Sequence, residues 1–191
     1  MVVMGALICA SPRLLIAGSS PARASLGLVV TQESVASHVG FQVIKNGGNA
    51  IDAAVATAFA LAVTHPTAGN IGGGGFIVYR PATGGPVAYD FREKAPAGCT
   101  PTMWLKNGKY DEDLHHHSHR AVGVPGTVAG LHLAWKEHGS KPWPDLVLPA
   151  VALARDGFEV TPGLALSLQV MLPKFKRYPA SLAQFSKQGV P

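Results

Sequence analysis

Cysteine is scarce in this chain: two residues in 191, Cys9 and Cys99. That count excludes a disulfide scaffold and a metal site built from thiolates. Should the first residues be removed as a leader, Cys99 alone remains. As a nucleophile it would need a histidine partner, and His65 is the only candidate whose surroundings read as interior. An incidental or buried thiol is the simpler reading. Charge is sparse too, at 14% of residues against about a quarter in ordinary globular proteins. Another subunit, or more polypeptide, is therefore expected to cover part of the surface. The balance is basic, 16 Lys and Arg against 11 Asp and Glu, yet the only cluster is Lys174, Lys176 and Arg177. Nucleic-acid binding calls for a denser stripe with interleaved aromatics, so that cluster reads as solvated surface and no nucleic-acid partner is expected. The sequence has no Gly-x-Ser-x-Gly elbow, no His-Glu-x-x-His pair and no evident carboxylate dyad, and no internal repeat. Hydrolytic centres of those kinds are absent.

What the chain does have is concentrated between Asn46 and Glu93. Asn49 is a good N-cap and Asp52 stands in capping-box position, so a helix is predicted from Ala50 to Val63. It is apolar on nearly every side (Ile51, Val55, Phe59, Leu61, Val63) and belongs in a core. At about 21 Å it is too short to cross a bilayer. His65-Pro66 ends it. Four consecutive glycines, Gly72 to Gly75, then require either positive φ or very close backbone approach. A phosphate loop is disfavoured because the order is helix, glycines, strand rather than strand, glycines, helix. Strands are predicted over Phe76–Arg80 and Pro86–Phe91 with a turn at Ala82–Gly85, and the second ends in Asp90-Phe91-Arg92-Glu93.

Elsewhere, Val29-Val30 reads as a short strand, and Gln32–Asn46 as an amphipathic helix capped by Ser34 or Ser37 and stopped by Gly47. Pro101–Leu105 suits a helical turn and Lys106–Tyr110 a hairpin tip centred on Asn107-Gly108. Asp111–His119, with four histidines beside three acids, suits imidazole-binding metals in composition. Adjacent loop histidines diverge, however, so the segment reads as a flexible polar loop without a metal. Ala121–Val124 reads as a strand, followed by helices from Pro125-Gly126-Thr127 to His138, from Trp143 to Asp156 and from Thr161-Pro162 to Leu172. The tail from Lys174 shows no structural logic of its own. Met1–Ala24 is apolar, interrupted by Arg13, and ends in the small-x-small pattern Ala22-Arg23-Ala24, so a signal peptide is expected over 1–24; the alternative is an irregular tail.

Three motifs in order, KNGGNAIDAAVATAFALAVTHPTAGNIGGGGF, DFREKAP and GVPGTVAG, resemble the large-subunit segment of the γ-glutamyltranspeptidases (glutathione hydrolases), over about Val29 to Val160. The resemblance implies an α/β fold, the N-terminal part of an Ntn-hydrolase-like αββα four-layer sandwich, with 25–191 an incomplete domain of the large subunit. It implies cleavage or transfer of the γ-glutamyl group of glutathione and related amides, without metal or cofactor. In that family a threonine exposed by self-cleavage, at the start of a small subunit from the same precursor, is the nucleophile. This segment would then hold no catalytic residue, and its substrate contact would be Arg92, gripping the α-carboxylate of the γ-glutamyl group. Asp90 and Glu93 could hold Arg92, and Thr64-His65-Pro66 with Gly72–Gly75 would shape the pocket. A periplasmic or secreted location, with no membrane association after leader removal, is also implied. Kept beside this reading are a non-catalytic binding domain or truncated remnant of the family, a cephalosporin-acylase-like relative, and metal binding by the histidine segment.

Overall fold

The computed structural model describes residues 21, 23–187 and 190. Most of the expected signal peptide lies outside the described residues. Helix α1 (Ser34–Lys45) is stopped as the glycines predict. Gly47, at φ +80°, sends its N–H to the Ile44 carbonyl (2.9 Å) and Gly48 reaches Val43 (2.9 Å). That pair of bonds is a Schellman stop. Only two residues later Asn49 caps α2 (Ala50–Thr64). Its Oδ1 accepts from the N–H groups of Ile51 (2.9 Å) and Asp52 (3.0 Å), and Asp52 Oδ2 accepts from the Asn49 N–H (2.9 Å). The capping box expected from sequence is formed.

Helix α2 is the centre of the molecule. Ile51, Val55, Ala56 and Phe59 bury against Leu131 and Ala134 of α4 (Thr127–His138) and Leu146 and Ala150 of α5 (Trp143–Asp156). Helix α1 covers another side, and Gly40 is the point of closest approach: a Cβ there would strike the Thr57 hydroxyl. The ring of Trp143 meets Phe59 edge-on at 5.5 Å between centroids and Trp135 at 5.4 Å. The Asp52 side chain, wholly buried, also ties α2 to the α4–α5 loop through Ser140 and Lys141.

Strands β1 (Phe76–Tyr79) and β2 (Val87–Asp90) form an antiparallel hairpin with Phe76 opposite Asp90 and Tyr79 opposite Val87. One face, Ile77, Tyr79, Val87 and Tyr89, packs into the core, while Phe76 and Val78 on the other face are exposed. Tyr89 donates its hydroxyl to Glu137 Oε2 at 2.5 Å. Burial first, then that neighbouring carboxylate, pushes the phenol up to about 12. A second, minimal hairpin pairs β3 (Leu105–Lys106) with β4 (Lys109–Tyr110). Its Asn107 and Gly108 both have positive φ, as the Asn-Gly signal predicts.

Several expectations are corrected. Val29-Val30 has no strand partner among the described residues, and α1 begins at Ser34 with Glu33 as its cap, Oε2 accepting from Val35 (2.9 Å) and Ala36 (3.2 Å). Ser37 instead bonds to Thr31. Asp111–His119 is not a loop. Asp111 caps a short helix α3 (Glu112–His117), and a 3-10 turn (His119–Ala121) follows. In place of a strand at Ala121–Val124, Val124 alone bridges to Lys94. Helix α6 (Pro162–Phe175) runs past Leu172, and the tail forms α7 (Pro179–Phe185).

Candidate functional site

The Asp90–Glu93 segment leaves β2 and is gripped from both sides by backbone. On one side lies the glycine run. A Cβ on Gly74 would sit 2.7 Å from the Phe91 carbonyl oxygen and 2.8 Å from both the Arg92 Cα and the Glu93 nitrogen. On the other side lies the start of α4. A Cβ on Gly126 would collide with the Phe91 carbonyl, one on Gly130 with the Phe91 ring, and one on Gly123 would stand 2.8 Å from the Glu93 Cβ. None of Gly72 to Gly75 has positive φ. At Gly74, therefore, glycine is required because two backbones must touch, not because of its dihedral angles.

Hydrogen bonds close this clamp. The Gly73 carbonyl accepts from the N–H groups of Gly126 (2.8 Å) and Thr127 (3.1 Å), which caps α4 without a side chain. Asn70 Oδ1 accepts from the Gly73 N–H (2.9 Å) and from the Thr127 hydroxyl (2.5 Å). Phe91 N–H donates to the Gly75 carbonyl (3.1 Å), and Lys94 and Val124 exchange backbone bonds of 3.2 and 2.8 Å. Thr127 is buried. Neither Asn70 nor Thr127 stands out from sequence alone, although each flanks a glycine motif, before GGGG and directly after GVPG. Replacing Asn70 by alanine strands the Thr127 hydroxyl. The expected loss is about 1–3 kcal/mol, read as a lower urea midpoint; an unchanged midpoint would show the latch to be inert.

Arg92 projects from this held backbone. Asp90 Oδ1 accepts from the Arg92 backbone N–H (3.0 Å), so that acid fixes the main chain. Among the described residues the ion pairs are Arg155–Asp156 and Arg177–Asp113, and His138 Nε2 lies 4.0 Å from Glu137 Oε2. Arg92 is paired with neither Asp90 nor Glu93. Its exposed guanidinium lines two adjoining clefts, one of about 480 Å³ against Gly126, Gly130 and Leu133, the other of about 430 Å³ towards Arg120. A fixed backbone carrying an unpaired planar guanidinium can bind a carboxylate through two parallel bonds.

Of the other candidates, Cys99 lines the cleft of about 430 Å³ beside Arg92. Thr64 is buried and bonded to the Ala60 carbonyl (3.1 Å), while His65 contacts Thr67. Cys99 is exposed, with Met103 sulfur as its neighbour at 2.9 Å and no histidine beside it, so the incidental reading fits. His115 and His116 share the Tyr110 hydroxyl at 2.8 and 3.3 Å. Among the described residues no group of three or more His, Cys, Asp or Glu side chains is placed to hold a metal ion. Among them, too, no helix is long and apolar enough to cross a membrane.

Known proteins give this geometry a context. The profile of the family Gamma-glutamyltranspeptidase matches residues 36–191. The glutathione hydrolase proenzyme of Escherichia coli is 47% identical over 176 residues, 90% of this chain and 30% of that protein. The Bacillus subtilis glutathione hydrolase proenzyme is 44% identical, covering 79% and 26%. This chain thus spans about a third or less of the curated relatives it matches. Among solved structures, Helicobacter pylori γ-glutamyltranspeptidase superposes with a TM-score of 0.84 at 44% identity, over 89% of this chain and 49% of that one. The Pseudomonas nitroreducens enzyme complexed with L-DON gives 0.79 at 40% identity, over 85% and 49%. The architecture is accordingly α/β, part of the Ntn-hydrolase αββα sandwich of these neighbours. With its glycine run, its Asp-Phe-Arg-Glu segment and its Gly-Val-Pro-Gly helix start locked together in one clamp, the chain belongs to the γ-glutamyltranspeptidase family.

Proposed function

We propose that this chain is the N-terminal part of the large subunit of an exported γ-glutamyltransferase or glutathione hydrolase. In this reading 1–24 is a signal peptide and 25–191 an incomplete domain. The whole protein, periplasmic or secreted, cleaves or transfers the γ-glutamyl group of glutathione and related amides. Arg92 binds the α-carboxylate of the γ-glutamyl group, and a threonine of a small subunit cut from the same precursor supplies the nucleophile. The observation that carries the proposal is Arg92 itself: a guanidinium without an ion-pair partner among the described residues, on a backbone pinned between Gly74 and Gly126. Relatives named as proenzymes support a precursor that is processed.

The chemistry follows from the division of labour. A guanidinium that stays charged and makes a two-pronged contact fixes one end of the substrate. The amide to be cut is then held at a set distance from whatever attacks it, which is how a positioning contact lowers a barrier. In protein made from the complete reading frame, Arg92→Lys should raise KM for γ-glutamyl-para-nitroanilide about 10- to 100-fold, the loss of a charge-assisted bond. An unchanged KM removes Arg92 from the site. Residues 25–191 alone should release no nitroaniline, and turnover by that fragment would overturn the assignment of the nucleophile elsewhere.

A further inference from the structure

A second feature of the Arg92 neighbourhood is not needed to hold one α-carboxylate. The cleft of about 430 Å³ is walled by Arg92, Glu93 and Lys94 on one side and by Arg120 near Gly123 on another, with Trp104 on a third. Arg92 and Lys94, two residues apart, both line this cleft. Arg120 sits in the 3-10 turn His119–Ala121, where the Ser118 hydroxyl accepts from the Arg120 N–H at 3.2 Å. Three cations thus border one small cavity against a single carboxylate, Glu93. None of the three is in an ion pair among the described residues. Uncompensated like charges gathered in a cleft focus a positive potential there and favour an anion that relieves their repulsion. A cavity of this volume is in the range that holds a small molecule.

We infer that this cleft is a second carboxylate subsite, in which Arg120 and Lys94 take an acid group on the far half of a substrate whose near end is held by Arg92. The sense of "second" rests on the proposed role of Arg92. The chemical class is a γ-glutamyl peptide, or an acceptor peptide, with a free carboxylate beyond the amide. Trp104 offers the apolar surface along which the intervening stem lies. Arg120 is the specificity-determining residue, because Arg92 and Lys94 also line the neighbouring cleft and Arg120 lines this one.

The test compares two donors with the enzyme made from its complete reading frame. One is γ-glutamyl-para-nitroanilide and the other is the same anilide bearing a carboxylate meta to the amide nitrogen. Arg120→Ala should shift the kcat/KM ratio, carboxylated over plain, by about three- to tenfold against the carboxylated donor, as removal of a partly solvated charge partner does. Arg120→Lys should recover part of that ratio, and about 0.5 M salt should erode it in the unsubstituted enzyme. Transfer to glycylglycine against glycylglycine amide is the second arm. A shift there with none between donors assigns the subsite to the acceptor, and the reverse assigns it to the leaving half; either supports the cleft. Ratios unmoved in both arms overturn it. If Arg92→Lys leaves donor KM unchanged while the Arg120 ratio shifts, the role of Arg92 falls and the carboxylate cleft stands.

Discussion

Gly126→Ala is expected to destabilise the protein by about 3 kcal/mol or more and to abolish binding at Arg92 in whatever molecules still fold. The added methyl would lie inside contact distance of the Phe91 carbonyl oxygen, which is backbone and cannot rotate away. Overpacking a fixed contact costs about 1–3 kcal/mol when side chains can yield, and here they cannot. Moving α4 outward would break the bonds from Gly126 and Thr127 to the Gly73 carbonyl. Moving the Asp90–Glu93 segment inward would press it on Gly74, whose own approach to Arg92 Cα already excludes a side chain. Gly84→Ala makes the control. Its φ is +87°, so alanine there is strained, yet nothing lies near the new methyl and the site is remote. It should cost about 1 kcal/mol and leave KM alone. Equal effects from both variants would mean that backbone contact at Gly126 does not set the position of Arg92.

That clamp also explains what could be read from sequence and what could not. The Asn49–Asp52 capping box and the Gly47 stop depend on residues a few positions apart, so their local chemistry suffices. The glycine run announced either positive φ or a close approach, but neither which of the two nor its partner, because the Phe91 backbone is brought there by the hairpin register. The Asn70–Thr127 bond joins residues 57 apart in sequence, and no periodicity encodes it. Val29-Val30 and Ala121–Val124 have strand-forming residues, yet a strand exists only where a partner lies alongside, and among the described residues only Val124 finds one. The histidine run misled through composition. Asp111, followed by Glu112 and Asp113 and then by His115–His117, is a cap with acids in the first turn and bases in the last, the order a helix dipole favours. Arg92 was visible only through the motif around it, since an arginine beside two acids ordinarily suggests an ion pair that this chain does not make.

Asp52→Ala should cost about 3–5 kcal/mol, because it strands several donors at once and each unsatisfied buried donor costs about 1–3 kcal/mol. The carboxylate is wholly buried. It accepts from the backbone N–H groups of Asn49 (2.9 Å), Ser140 (2.9 Å) and Lys141 (3.2 Å) and from the Ser140 hydroxyl (2.5 Å). Alanine leaves those donors without a partner and unties the start of α2 from the α4–α5 loop at once. The same network sets a pH dependence. Burial alone would raise the Asp52 pKa, but the Ser140 hydroxyl and the three backbone donors outweigh it and hold it below the ordinary 3.8. A carboxyl with a lowered native pKa stabilises the fold fully above its unfolded value, near pH 4, and that contribution drains away as pH falls through the native value. Urea midpoints of the unsubstituted protein should therefore drop as pH is lowered from about 5 to 2. In Asp52→Asn, which cannot ionise and presents an amide N–H₂ to at least one donor, the midpoint should start lower and fall less over that range. Parallel curves for the two proteins would show that other carboxylates carry the acid sensitivity and that the Asp52 network does not bind its charge more tightly than water does.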